Sequence, residues 1–307
     1  MSSVHYSSTG RYIDLVQENS QRGKSLSHPA ISINPYGKYI DINFEEFYYT
    51  VCHSAKYFHS QLKAINFSSG RNVGLLCHSD SHYLWNMLGL MASNVAPVLL
   101  SPRNSIEATI HLLKQSSSRA LIYQDHFNYL VKEISKEIPD LVLIPKWIAK
   151  FPECLTPTEY QLIIPLESQE KELDKVSYTL HSSGSTSFPK LISQSNRVCH
   201  NSGYRFIWEE LPLDRVEINF FPLFHAGGIL GTLLMCMYQM KSMTICPDLI
   251  PGSHFSPKMI LDLVQNLSPK LLLILPLILK ELIEYCNNVE KSQGWDILKR
   301  VEIMRYG

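Results

Sequence analysis

From about residue 39 onward, short apolar runs alternate with stretches whose apolar residues recur at helical spacing. "YIDINFEEFYYTVCHSAKYFHSQL", Tyr39 to Leu62, predicts a short strand followed by a helix. Asn43 is placed to cap that helix, with Glu45 and Glu46 in its first turn, near the positive end of its dipole. Phe47, Val51, Ala55 and Phe58 repeat on one face and should meet a core. "NVGLLC" (72–77), "VAPVLLS" (95–101), "ALIYQ" (120–124) and "VLIPK" (142–146) read as strands of the kind buried in a parallel sheet. Helices are expected over roughly 81–93 and over "SIEATIHLLKQS" (105–116), where Ile106, Ile110 and Leu113 share a face.

The same alternation resumes after residue 175. "VSYTL" (176–180) is a strand, then a helix, then "EINFFPLFH" (217–225), then a helix through Leu234 and Tyr238, then "SMTIC" (242–246). "KLLLILP" (270–276) precedes a helix beginning after Pro276, a position where the missing amide costs nothing. "VEIMRYG" (301–307) reads as another buried strand. The fold class is therefore α/β, with layered, mainly parallel sheets flanked by helices. Residues 1–38 are expected to form an irregular lead-in, and 39–307 one domain interrupted by an irregular proline-containing segment at about 152–165.

Charge narrows the function classes. Lys+Arg 28 balance Asp+Glu 28, so no global field favours nucleic acid or an anionic membrane. The longest apolar run, Leu271 to Leu279, is too short to span a bilayer and is broken by Pro276. The start, "MSSVHYSSTGRYIDL", lacks a basic stretch followed by an apolar run, so no signal peptide is expected. The seven cysteines include no C-x-x-C pair, which points to reduced thiols and a cytoplasmic location.

The candidate chemistry centres on "LHSSGSTSFPK", Leu180 to Lys190. It follows a strand directly. Gly184 lets the backbone curl so that successive amides point inward. Ser182, Ser183, Ser185 and Thr186 add hydroxyl donors, and Lys190 adds a cation at the rim. Such a segment suits phosphate oxygens, although it is not a P-loop. A solvated serine-rich turn is the alternative. His78, Asp80 and His82 alternate as metal ligands can, but they lie between a strand and a helix, where Ser79, Asp80 and Ser81 are natural caps. Cys199 and His200 fall on the helix after the motif and are expected to pack.

The order of residues in "HSSGSTSFPK" closely resembles the phosphate-binding signature of the adenylate-forming, or AMP-binding, superfamily. That superfamily contains acyl-CoA synthetases, luciferases and peptide-synthetase adenylation domains. Ser187 stands where glycine is commoner, and His181 where tyrosine is usual. "YIDINFEEFYYTV", the block from Asn72 to Leu113, "FFPLFHAGG" (220–228), "LLLILPLILKELI" and "VEIMRYG" resemble further family elements in the family's order. Within them "LSPRNS" is most similar to the fungal synthetase-like reductases.

The resemblance implies a set of roles. Ser182, Ser183, Gly184, Ser185 and Thr186 would cradle the β- and γ-phosphates of ATP, and Thr186 would touch Mg2+. Lys190 would neutralise departing pyrophosphate. His225 would sit beside a small carboxylic acid, with Phe224, Gly227 and Gly228 shaping the pocket. The implied reaction is ATP-dependent formation of an acyl-adenylate. In the reductases, the acyl group then passes to the phosphopantetheine thiol of a carrier domain and is reduced with NADPH. The family's glycine-rich turn, its glutamate motif and its small C-terminal domain have no counterpart before Gly307. This chain is accordingly expected to be an incomplete adenylation domain, weakly active or inactive alone. A stand-alone acyl-CoA ligase and a non-catalytic remnant that binds a nucleotide or a partner are the alternatives.

Overall fold

The computed structural model describes residues 4–34, 38–67, 72–162, 167–182, 188–205, 217–246, 255–288 and 291–306. Its strands, in chain order, are β1 (Ile31–Ile33), β2 (Ile40–Ile42), β3 (Asn72–Leu76), β4 (Ala96–Leu99), β5 (Ala120–Tyr123), β6 (Val142–Pro145), β7 (Val176–His181), β8 (Leu191–Ser195), β9 (Glu217–Asn219), β10 (Met243–Ile245), β11 (Leu271–Ile274) and β12 (Ile303–Tyr306). Among the described residues they form two six-stranded sheets, ordered β6-β5-β3-β4-β7-β8 and β12-β11-β9-β10-β1-β2. All neighbours are parallel except β7 with β8 and β1 with β2, so each sheet carries one antiparallel edge strand. Together with the flanking helices this is the α/β architecture expected from the pattern.

The apolar pattern explains why the inner strands sit where they do. Val73, Leu75 and Leu76 of β3 are fully buried, and β3 pairs with β4 on one side and β5 on the other. Burial on both faces requires the continuous apolar run seen there. The helices are α1 (Leu15–Arg22), α2 (Phe44–Ala64), α3 (Ser81–Ala92), α4 (Ile106–Gln115), α5 (Asn128–Glu137), α6 (Gln169–Asp174) and α7 (Asn196–Arg205), with further helical segments after residue 225. α2 starts as expected. The Asn43 side chain accepts from the Glu45 and Glu46 amides at 2.9 Å, and Glu46 accepts from the Asn43 amide. That reciprocal cap satisfies donors the first turn leaves orphaned. α3 is buried along nearly its whole length, as an almost uniformly apolar helix must be. One core joins Ile31, Ile33 and Ile42 of one sheet to Val73 and Leu75 of the other, through Phe47, Val51 and Phe58 of α2 and Trp85 of α3.

The expected irregular lead-in is corrected by the structure. It carries a turn of 3-10 helix (Tyr12–Asp14), then α1 and β1, and it buries Tyr12, Ile13, Leu15 and Val16. Asn19 of α1 donates to the Met237 carbonyl at 2.6 Å, and the Tyr12 amide donates to Asn196 at 2.9 Å. The buried face of α1 includes Asn19 and Ser20, so no apolar periodicity announced it. Part of the expected irregular stretch at 152–165 is a 3-10 turn, Glu153–Leu155, which buries Cys154. Three strand readings also change. β8 stands between the hydroxyl-rich motif and its helix. "EINFFPLFH" is strand only over Glu217–Asn219. β12 is a half-exposed edge strand, with Tyr306 69% exposed.

At the base of β9 lies a buried polar knot. The Glu217 carboxylate accepts from Thr232 Oγ1 at 2.9 Å. Burial pushes the Glu217 carboxyl up from 4.5 to about 7, against the opposing pull of that hydrogen bond and of Arg305 and Lys241. A carboxyl raised in this way favours the protonated form in the folded state. Its contribution is therefore full below pH 4.5 and lost as pH rises through about 7. Thermal melts of wild type and Glu217→Gln at pH values from about 5 to about 8 check this. Over that range the melting temperature of the wild type should fall relative to that of Glu217→Gln.

Candidate functional site

The hydroxyl-rich motif joins β7 to the antiparallel β8. Ser182 and Lys190 close its base. The Ser182 amide donates to the Lys190 carbonyl at 3.0 Å, and the Lys190 amide donates to Ser182 Oγ at 2.9 Å. Ser183, Gly184, Ser185 and Thr186 lie outside the described residues. Lys190 is exposed at the rim, and the exposed ring of Phe188 stacks on His111 at 5.0 Å. His181, the last residue of β7, faces the turn after β4. Its Nε2 accepts from the Ser101 amide at 3.1 Å, and its Nδ1 meets the Ser182 carbonyl at 2.9 Å.

The second motif is a turn that leaves β9. Asn219 organises it. Its Oδ1 accepts from the Phe221 amide at 2.8 Å, while its Nδ2 donates to the Gly227 carbonyl at 3.1 Å and to Thr232 Oγ1 at 2.5 Å. His225 caps the short helix Ala226–Gly228, and its Nδ1 accepts from the Gly227 amide at 3.2 Å. Neutral His225 therefore carries its proton on Nε2, which leaves a donor for an anion. Phe221 stacks on the imidazole at 5.9 Å, and Phe224 meets Tyr83 edge-on at 6.3 Å. The two glycines are sterically required. A Cβ on Gly228 would lie 2.2 Å from the Pro222 carbonyl oxygen, and one on Gly227 would lie 2.6 Å from the Phe221 ring.

The two motifs come from different sheets and meet. The Leu223 amide donates to Ser79 Oγ at 2.8 Å, which fastens the β9 turn to the turn after β3. His225 lies near enough to His181 that its charge helps hold His181 below its ordinary value of 6.5, burial being the larger cause. Of the residues expected in the site, Ser182, Lys190, Phe224, His225, Gly227 and Gly228 are thus placed on two adjoining turns. Asn219, Ser79 and Ser101 were not anticipated. The one signal for Asn219 was an amide inside an otherwise apolar run.

The alternating His78, Asp80 and His82 do not converge. Asp80 caps α3, accepting from the Tyr83 amide at 2.6 Å, and pairs with Lys146 at 3.6 Å and His82 at 3.7 Å, while the His78 ring packs against His126 and Phe127. Among the described residues no group of three or more His, Cys, Asp or Glu could hold a metal ion. Cys199 and His200 are buried on α7, with His200 edge-on to Tyr12 at 4.9 Å. Among the described residues no helix is long and apolar enough to cross a membrane.

The family profile described as "AMP-binding enzyme" matches residues 18–304. The chain belongs to that family. Curated relatives include an adenylate-forming reductase of Aspergillus terreus, 28% identical over 222 residues, covering 69% of this chain and 19% of the relative. A non-canonical non-ribosomal peptide synthetase, ascB, of Acremonium egyptiacum is 24% identical, covering 76% of this chain and 21% of the relative. The adenylate-forming reductase stbB of Stachybotrys bisbyi is 24% identical, covering 93% of this chain and 27% of the relative. This AMP-binding chain thus spans about a fifth to a quarter of the length of these relatives. Among solved structures, o-succinylbenzoate coenzyme A synthetase from Bacillus subtilis in complex with AMP shares the fold. Its TM-score is 0.71 at 15% identity, covering 95% of this chain and 67% of that one.

The AMP-binding fold here depends on the Asn219 amide. Asn219→Ala leaves the Phe221 N–H and the Gly227 C=O without partners and should cost about 2 kcal/mol in denaturant unfolding. Gly228→Ala should cost more, because backbone rather than a flexible side chain must move.

Proposed function

We propose that this chain contributes the ATP and carboxylate sites of an enzyme that activates a small carboxylic acid as its acyl-adenylate. A carboxylate oxygen attacks the α-phosphorus of ATP, the bond from that phosphorus to the bridging oxygen breaks, and pyrophosphate leaves with the electron pair. No protein nucleophile is needed. The reaction asks for two anions held together and for donors fixed where charge develops.

The observation that supports this reading is that the turn bearing His225 is fastened to the turn after β3 through Leu223 and Ser79 and lies near His181, which leads into the hydroxyl-rich segment. An anion at each of the two motifs would lie at one reaction centre. In this reading Ser182, Ser183, Gly184, Ser185 and Thr186 cradle the β- and γ-phosphates, and Lys190 neutralises the leaving pyrophosphate. His225 offers its Nε2–H to the acid, with Phe224, Gly227 and Gly228 as the pocket wall. Hydroxyl and ammonium groups suit a triphosphate, and the Thr186 hydroxyl is the hard oxygen ligand that Mg2+ prefers. Magnesium, when bound, would offset the charge that collects on the leaving oxygens. Two fungal relatives are named adenylate-forming reductases; in this reading the acyl group would then move to a carrier's phosphopantetheine thiol for reduction with NADPH, outside this chain.

ATP titration by calorimetry, with carboxylate-dependent pyrophosphate–ATP exchange over a panel of acids, tests the proposal. Lys190→Ala should weaken ATP binding by about tenfold or more without changing the melting temperature, since Lys190 is exposed. His225→Ala should weaken the acid's effect more than ATP binding. A folded chain that binds ATP equally well with and without Lys190 overturns the reading.

A further inference from the structure

We propose that His181, held as its Nδ1–H tautomer, is a positioning residue that ties the start of the hydroxyl-rich segment to the turn after β4 and so fixes the base of the nucleotide cradle. This rests on the function proposed above. The argument is one of donors and acceptors. A backbone amide can only donate, so the Ser101 N–H at 3.1 Å requires a lone pair on His181 Nε2. The Asn104 side-chain amide stands 3.3 Å from the same nitrogen as a second donor. The ring proton is then on Nδ1, 2.9 Å from the Ser182 carbonyl, which accepts it. One imidazole therefore receives from residues 101–104 and gives to residue 182. Ser182 passes the constraint on, because its amide and its Oγ both bond the backbone of Lys190. The result is a continuous relay from Ser101 through His181 and Ser182 to Lys190, across the base of the segment that carries the phosphate donors.

No other aromatic residue serves here. Phenylalanine and tyrosine lack a ring atom that accepts at the Nε2 position while another donates at the Nδ1 position. Protonation would undo the relay, since an Nε2–H would face the Ser101 and Asn104 donors. The titratable group that acts on the ring from a neighbouring element is His225, on the adjoining turn. Burial and His225 lower the His181 value from 6.5, while the bond to Ser182 opposes them. The neutral ring is therefore favoured in the folded chain, and the clamp weakens as pH falls below 6.5.

The test uses the full chain with 15N-labelled histidine. Long-range 1H–15N correlation at neutral pH, with His181 assigned by its loss in His181→Phe, should show a neutral Nδ1–H ring. An Nε2–H or cationic ring overturns the proposal. Hydrogen exchange at the Ser182 and Lys190 amides should quicken about tenfold in His181→Phe, and His181→Asn, which keeps a donor near Nδ1, should restore part of the protection. Melting temperatures of both variants control for general unfolding. ATP affinity should fall on the acid side of neutrality in wild type, and this acid limb should vanish in His181→Phe, whose affinity is low at every pH. If the wild type binds no ATP, the functional reading fails while tautomer and exchange still decide the clamp. If His181→Phe exchanges at the wild-type rate, the clamp is overturned whatever ATP does.

Discussion

Parallel pairing is the constraint on which this site depends. Because β3, β4 and β7 run in one direction, the segments that follow them all leave the sheet at the same edge. The turn at Ser79, the turn at Ser101 to Asn104 and the hydroxyl-rich segment after His181 are thereby neighbours although they are far apart in sequence. The other sheet adds one piece. The turn after β9 reaches this edge and is fixed there by the bond from the Leu223 amide to Ser79 Oγ. Neither sheet alone would bring His181 and His225 near each other. The shared core with α2 and α3, including Phe47, Phe58 and Trp85, packs against both sheets.

The electrostatics are local. With charges balanced over the whole chain, the field at this edge is set by nearby groups rather than by net charge. Lys190 is exposed at the end of the hydroxyl-rich segment. The two histidines supply directed donors, and the structure gives them opposite tautomers. His225 accepts at Nδ1 from Gly227, so its Nε2–H is available to a ligand. His181 accepts at Nε2 from Ser101, so its Nδ1–H is engaged within the protein. The same residue type thus leaves its ring N–H free of the backbone in one case and engaged with it in the other, and backbone amides decide which.

Much of this was legible in the sequence because burial on both faces of a parallel strand leaves a plain mark. The runs at 72–77, 96–99 and 271–274 could be read directly, as could Asn43 as a cap for α2. The hydroxyls, glycine and lysine between Leu180 and Lys190 suited phosphate by residue type but left a solvated serine-rich turn open, and it was their order that resembled the family signature. What stayed hidden depended on partners remote in sequence. α1 buries Asn19 and Ser20, whose cost is relieved only by contacts such as that to Met237, so its sequence looks like solvated chain. β8 reads as polar because an edge strand has one open side. "EINFFPLFH" looks like one long strand because aromatic residues favour sheets, yet Asn219 captures the Phe221 amide and turns the chain after three residues.

The surroundings of His225 follow from the same turn. Phe221 lies along His225, and Phe224 rests on Tyr83 of α3, so the aromatic residues of the motif are divided between orienting the imidazole and packing on the core. The paired glycines let the helix at 226–228 begin almost in contact with the carbonyl of Pro222, which leaves the His225 ring exposed rather than folded under the turn. A larger residue at 227 would press first on Phe221, and through it on His225. Phe224 meets Tyr83 of α3, and a Cβ added at Gly231 would lie 3.0 Å from the Leu273 side chain of β11. His225 and its glycine pair are thus fixed by backbone geometry, independently of the side chains at Phe224 and Leu273.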